Sequence, residues 1–142
     1  GLVCAGAALD GSGMCLPAWM KGTFLSEPMQ SIPDNNAAGG VASLLVYGLA
    51  TVDMDVVVDV YVAHARPRDI KVTLTNPAGN EVVVFDGASS DASEIYLRAK
   101  ALSGFSGDES VNGVWTLKAV DSKSGQAGSI ERFGLTITSR WD

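Results

Sequence analysis

Apolar and polar residues alternate in twos along much of this chain, the period of strands with one buried face. Val56, Val58, Val60 and Val62 fall on one side of an extended run, with Asp55, Asp59 and Tyr61 on the other. Ile70-Lys71-Val72-Thr73-Leu74-Thr75 repeats the pattern. Asn76-Pro77-Ala78-Gly79 then has the residues of a type I turn, with Asn at the first position, Pro at the second and Gly at the fourth. Glu81 to Phe85 returns as the partner strand of a hairpin. Val114 to Val120 and Ile130 to Thr138 supply two more strands, joined by the polar turn Ser122-Lys123-Ser124-Gly125. Residues 86–113 are rich in Gly, Ser, Asp and Ala and predict a long loop with one weak strand at Ile95-Tyr96-Leu97. No segment sustains a helical period, and no internal repeat is present. Short strands separated by turn signals predict an all-β, jelly-roll-like antiparallel β-sandwich. Its expected core contains Trp115, in phase with Leu117, together with Val58, Val60, Val72 and Leu74.

Residues 1–25 read differently. Gly-Ala and Gly-Ser-Gly pieces surround Cys4 and Cys15, and Leu16-Pro17-Ala18-Trp19-Met20 adds a small apolar patch. So few residues cannot bury a core of their own, so this is a linker or docking segment, held by Trp19 and Phe24, ahead of a sandwich spanning 26–142. A Cys4–Cys15 bridge would close a short loop, stabilising by about 3 kcal/mol on the chain-entropy model, and would require an oxidising compartment. Two free thiols are the alternative. No second Cys or His pair accompanies them, which removes a zinc-finger reading.

Composition narrows the function classes. A chain of 142 residues, 46% hydrophobic and 18% charged, fits one globular domain. No apolar run reaches the length of a bilayer helix, so membrane insertion is not expected. Gly1-Leu2-Val3 lacks the basic start and apolar stretch of a secretory signal, and the sequence is read as a mature fragment or excised domain. The net charge of −6 and pI near 4.6 disfavour nucleic acid and anionic membranes, which reward clustered Lys and Arg.

Catalysis within the chain is not expected. A hydrolytic triad would have to use His64, the single histidine, at the end of the valine strand, where a packed histidine hydrogen-bonding a turn is the simpler reading. Leu9-Asp10-Gly11-Ser12-Gly13 and Gly104-Phe105-Ser106-Gly107 both miss the G-x-S-x-G spacing. Calcium is the candidate cofactor. Asp34, Asp69 and Asp121 each lie at a strand end or in a turn, and a jelly roll can bring such turns to one edge. Each of these carboxylates also reads as a cap for its own turn, and no EF-hand loop is present. Trp115 on a sheet face raises sugar stacking, but its phase with Leu117 points inward. Trp19 and Trp141 are candidate surface aromatics.

A fixed order of short motifs spans residue 32 to the C-terminus. Ile32-Pro33-Asp34-Asn35-Asn36 opens it, and the valine run ending at His64, Arg66-Pro67-Arg68-Asp69-Ile70 and the Asn76 turn follow. Asn112-Gly113-Val114-Trp115-Thr116-Leu117, Asp121, Gly128-Ser129-Ile130 and Phe133-Gly134-Leu135-Thr136-Ile137 close it. This order resembles the P domain (Homo B domain) that follows the subtilisin-like catalytic domain of kexin and furin-type proprotein convertases and occurs in secreted bacterial proteases. The resemblance implies a non-catalytic accessory domain of a secreted protease, packed on its catalytic domain, stabilising it or modulating substrate access. The rival reading is an extracellular or cell-surface binding module that recognises carbohydrate or another protein. Two departures stand out. Many convertase P domains carry Arg-Gly-Asp where this chain has Arg66-Pro67-Arg68-Asp69, which leaves integrin-style recognition without support. The family often places an Asp after the glycine of the last turn, where this chain has Gly125-Gln126-Ala127-Gly128, one carboxylate fewer for a metal.

Overall fold

The computed structural model describes residues 19–105 and 107–141. Among the described residues, nine strands form two antiparallel sheets: β1 Trp19–Ser26, β2 Gln30–Ile32, β3 Asn36–Val46, β4 Val52–His64, β5 Ile70–Thr75, β6 Glu81–Asp86, β7 Ile95–Leu102, β8 Gly113–Asp121 and β9 Gly128–Arg140. One sheet has the order β1-β9-β4-β7, with β2 added to the far stretch of β9; the other has the order β3-β8-β5-β6. This is the antiparallel sandwich that the period-two pattern predicts.

The alternation decides which side chains meet. Val56, Val58, Val60 and Val62 of β4 and Phe133, Leu135 and Ile137 of β9 point inward from the five-stranded sheet. Val72, Leu74, Trp115, Leu117 and Ala119 face them from the other. Trp115 is 1% exposed, and its indole N–H donates to the Val111 carbonyl at 2.8 Å, so the ring is buried without stranding its one polar group. Trp115, Leu117, Val58, Val60, Val72 and Leu74 thus lie in one cluster.

The Asn76 turn closes the β5–β6 hairpin as its residues require. The Gly79 N–H donates to the Asn76 carbonyl, and the Asn76 side chain accepts from the Asn80 N–H. Gly79 has a φ of 92°, a region open to glycine at little strain. Two stretches differ from the sequence reading. The weak strand at Ile95 runs on to Leu102, because β7 pairs with the valine strand across a register shift between Val58 and Val60. Its residues after Leu97 are largely solvent-facing, which hides the strand from a hydrophobic pattern. Residues 19–25, expected in the linker, form β1 and pair in full register with β9. Phe24 and Met20 pack on the core from this edge strand, while Trp19 is 57% exposed. Residues 1–18, with Cys4, Cys15 and the bridge expected between them, lie outside the described residues, as does Ser106.

Candidate functional site

The sequence-predicted polar residues gather at one end of the sandwich, where β4 and β8 finish and β5 and β9 begin. His64 is the last residue of β4 and Asp121 the last of β8, so they belong to different sheets. Their side chains meet at 2.9 Å, His64 Nε2 to Asp121 Oδ2, and both are fully buried. His64 Nδ1 accepts the Arg66 backbone N–H at 3.0 Å. A nitrogen that accepts a hydrogen bond carries no proton, so the ring proton resides on Nε2, which donates to Asp121. Asp121 Oδ1 accepts from the Lys123 N–H at 3.0 Å and shapes the turn after β8. Both histidine nitrogens are therefore engaged, and a general base needs one of them facing a nucleophile. This pair clamps the two sheets together. The same crowding explains Gly128 at the start of β9, where a β-carbon would sit 2.2 Å from the Ala63 carbonyl oxygen.

The other two candidate carboxylates lie at the same end but serve different partners. Asp34 Oδ2 accepts from the Gly125 N–H at 3.1 Å, tying the β2–β3 turn to the β8–β9 turn. Asp69 closes the short 3-10 turn Pro67–Asp69, and its backbone carbonyl accepts from both the N–H and the hydroxyl of Ser122. The Asp69 side chain is 7% exposed, and Arg66 Nε stands 3.3 Å from its Oδ2. That contact is within ion-pair range, yet Oδ2 receives no hydrogen bond, so the guanidinium N–H is not directed at it.

Calcium requires several oxygens converging on one point. Among the described residues, no three Asp, Glu, His or Cys side chains gather closely enough to hold a metal ion. The turns carrying Asp34, Asp69 and Asp121 lie at one end, but Asp34 is held by the Gly125 N–H, Asp121 by His64 and the Lys123 N–H, and Asp69 stands beside Arg66, so these residues as placed do not form a calcium shell.

Sequence reasoning missed the opposite end. The Asn112 side chain accepts from the Leu49 N–H and donates to the Leu49 and Ala50 carbonyls, at 3.0–3.1 Å. Ser139 Oγ accepts from the Ala50 N–H and donates to the Met20 carbonyl, both at 3.0 Å. Asn112 opens a motif already visible in the sequence; its bonding to a loop 62–63 positions away is a tertiary fact. Also missed was an aromatic pair on the outer face of the five-stranded sheet, half-buried Tyr61 beside exposed Tyr96. Tyr61 and Tyr96 meet edge to face, with ring planes 74° apart, and Arg98 stands 5.9 Å over Tyr96.

The proprotein convertase P-domain family model matches residues 54–137, which takes in β4 through most of β9 and strands of both sheets. The chain belongs to this family. P domains are accessory, non-catalytic parts of subtilisin-like proteases. Two solved structures share the fold: an Aeromonas sobria serine protease in complex with a chaperone, 17% identical with a TM-score of 0.71, and the serine protease of Aeromonas sobria, 18% identical with a TM-score of 0.68. They cover 92% and 88% of this chain, which spans 28% of each of theirs. At that identity the likeness concerns the fold. No curated protein matches the sequence.

Proposed function

We propose that this P domain is the accessory module of a secreted subtilisin-like serine protease, packing on the catalytic domain, stabilising it and modulating substrate access. The observation that carries the reading is the family match across strands of both sheets. Exposed apolar side chains are consistent with a docked surface: Leu45 and Val114 form an exposed cross-strand pair, and exposed Tyr47 packs its ring on Phe24 at 5.5 Å. The experiment is deletion of residues 26–142 from the parent. The yield or thermal stability of the protease falls, while its catalytic residues are untouched. A parent without a protease domain, or one indifferent to the deletion, would leave the extracellular binding module instead. That second reading would draw on Tyr61 and Tyr96, whose crossed planes give a sugar ring no flat pair to stack on.

A further inference from the structure

Among the described residues, and apart from the short β2, the sandwich leaves β1 and β7 at the edges of one sheet and β3 and β6 at the edges of the other. A free edge presents a row of backbone N–H and C=O groups, and charges, bulges or a covering group normally keep it from pairing with another chain. Three of these edges carry such guards. Lys100 Nζ reaches from β7 to the Val84 carbonyl of β6 at 2.8 Å, and β6 begins on Glu81 and ends on Asp86. β7 presents Arg98 and Lys100 around Ala99, whose φ of 49° and the adjoining register shift break the line of the strand. β1 carries Lys21.

β3 has no such guard over its second half. Its irregularity lies between Asn36 and Gly40, and from Val41 to Val46 it runs in unbroken register with β8, on one side only. No charged residue occurs between Asp34 and Asp53. Val41-Ala42-Ser43-Leu44-Leu45-Val46 is apolar but for one serine, uncharged and free of Pro and Gly, a composition that takes a further strand when its edge is open. The segment is also complementary to itself. Turned end for end about Ser43, Val41 meets Leu45, Ala42 meets Leu44, and the small, exposed Ser43 meets its own copy. A net charge of −6 makes two copies repel as wholes, and this edge lets them approach without setting like charges opposite each other.

We propose that β3 pairs antiparallel with β3 of a second copy of this chain, about a two-fold axis at Ser43, joining two four-stranded sheets into one of eight strands. Backbone hydrogen bonds supply the attraction, and the Val41–Leu45 pairs fix the register. Edge pairing leaves the outer sheet face open, so the exposed Leu45–Val114 row stays accessible to a catalytic domain. The inference therefore stands apart from the accessory-domain reading.

The test is sedimentation velocity of the 142-residue chain over a concentration series. The mass rises from 14.7 kDa towards twice that value as concentration increases. Ser43→Lys sets two ammonium groups against each other at the axis and holds the chain at monomer mass over the same range. Ser43→Glu does the same, and mixing the two variants restores the dimer, because opposite charges then meet. Val41→Glu also gives a monomer, and it covers the case in which a Ser43 variant fails to fold. Thr116→Lys separates edge from face: Thr116 is the β8 partner of Ser43, one strand in from the edge, so edge pairing survives it and face-to-face packing does not. A chain that stays monomeric throughout, a mixture of the Ser43 variants that does not associate, or equal loss with Thr116→Lys would overturn the proposal. A chain that becomes dimeric only after residues 1–18 are removed would overturn the second copy as the natural occupant and assign the edge to that segment.

Discussion

The two ends of this sandwich solve one problem with opposite chemistry. At each, a strand of one sheet must be tied to the other sheet, and backbone groups leaving the ladders need partners. At the Asn112 end the ties are neutral: one side-chain amide serves three backbone groups of the β3–β4 loop, and Ser139 carries the connection to β1. At the His64 end they are ionisable: His64 bridges to Asp121 across the sheets, with Asp34 and Asp69 fixing adjacent turns. A neutral amide partly open to solvent can be lost at modest cost. A fully buried carboxylate cannot, because its loss leaves the donors that faced it without an acceptor where water does not reach. The ends look alike as clamps and differ in what breaking them exposes.

The largest expected effect lies in the core between them. Trp115→Ala should cost about 3–5 kcal/mol in urea unfolding, since it empties a large buried site. Trp115→Phe keeps most of the ring and isolates the loss of the bond to Val111. If Trp115→Ala cost less than Asp121→Ala, the clamps and not the core would dominate stability.

Asp121→Ala comes next, at about 3 kcal/mol, because it leaves the His64 Nε2–H and the Lys123 N–H without an acceptor in a dry site. Asn112→Ala should cost about 2 kcal/mol, three hydrogen bonds at the modest net value of each. Unfolding both variants in urea under the same conditions measures the comparison. An Asn112 loss equal to or above that of Asp121 would erase it. Two conservative variants sharpen it further. His64→Asn can mimic the Nδ1 acceptor for Arg66, whereas His64→Gln can mimic the Nε2 donor to Asp121. If the cross-sheet bond is the important one, the Gln variant is the more stable of the two.

The two ends were also unequally legible. The strands declared themselves because Val56 to Val62 and Ile70 to Thr75 alternate cleanly, and the hairpin because Asn76-Pro77-Ala78-Gly79 has turn chemistry. Asp34, Asp69 and Asp121 were findable as carboxylates at strand ends, and register does bring their turns together. Their partners were not, since a bond such as that of Asp34 to Gly125 joins residues 91 positions apart. Asn112 was harder still: an asparagine before a glycine reads as a turn, and only the packing of the β3–β4 loop turns it into a bridge. β7 is legible only at Ile95-Tyr96-Leu97, because an edge strand with mostly exposed side chains carries little apolar signal.

The smallest expected effect tests whether the ionisable end is finished or waiting for a cation. A site that binds calcium in the folded state only would add about 2.7 kcal/mol at a hundred times its dissociation constant. With Asp34 on the Gly125 N–H, Asp121 on His64 and the Lys123 N–H, and Asp69 beside Arg66, a calcium shell would have to break bonds already made. Melting curves in calcium and in chelator should therefore agree to within about 1 °C, well below the shift that such a gain in stability produces. The opposite result would be as informative. A calcium-dependent rise that magnesium does not reproduce, and that Asp69→Ala abolishes, would mean the turns rearrange to pool their carboxylates. The ionisable end would then owe its stability to a bound ion, and Asp121→Ala would cost more with calcium than with chelator, while Asn112→Ala would cost the same in both.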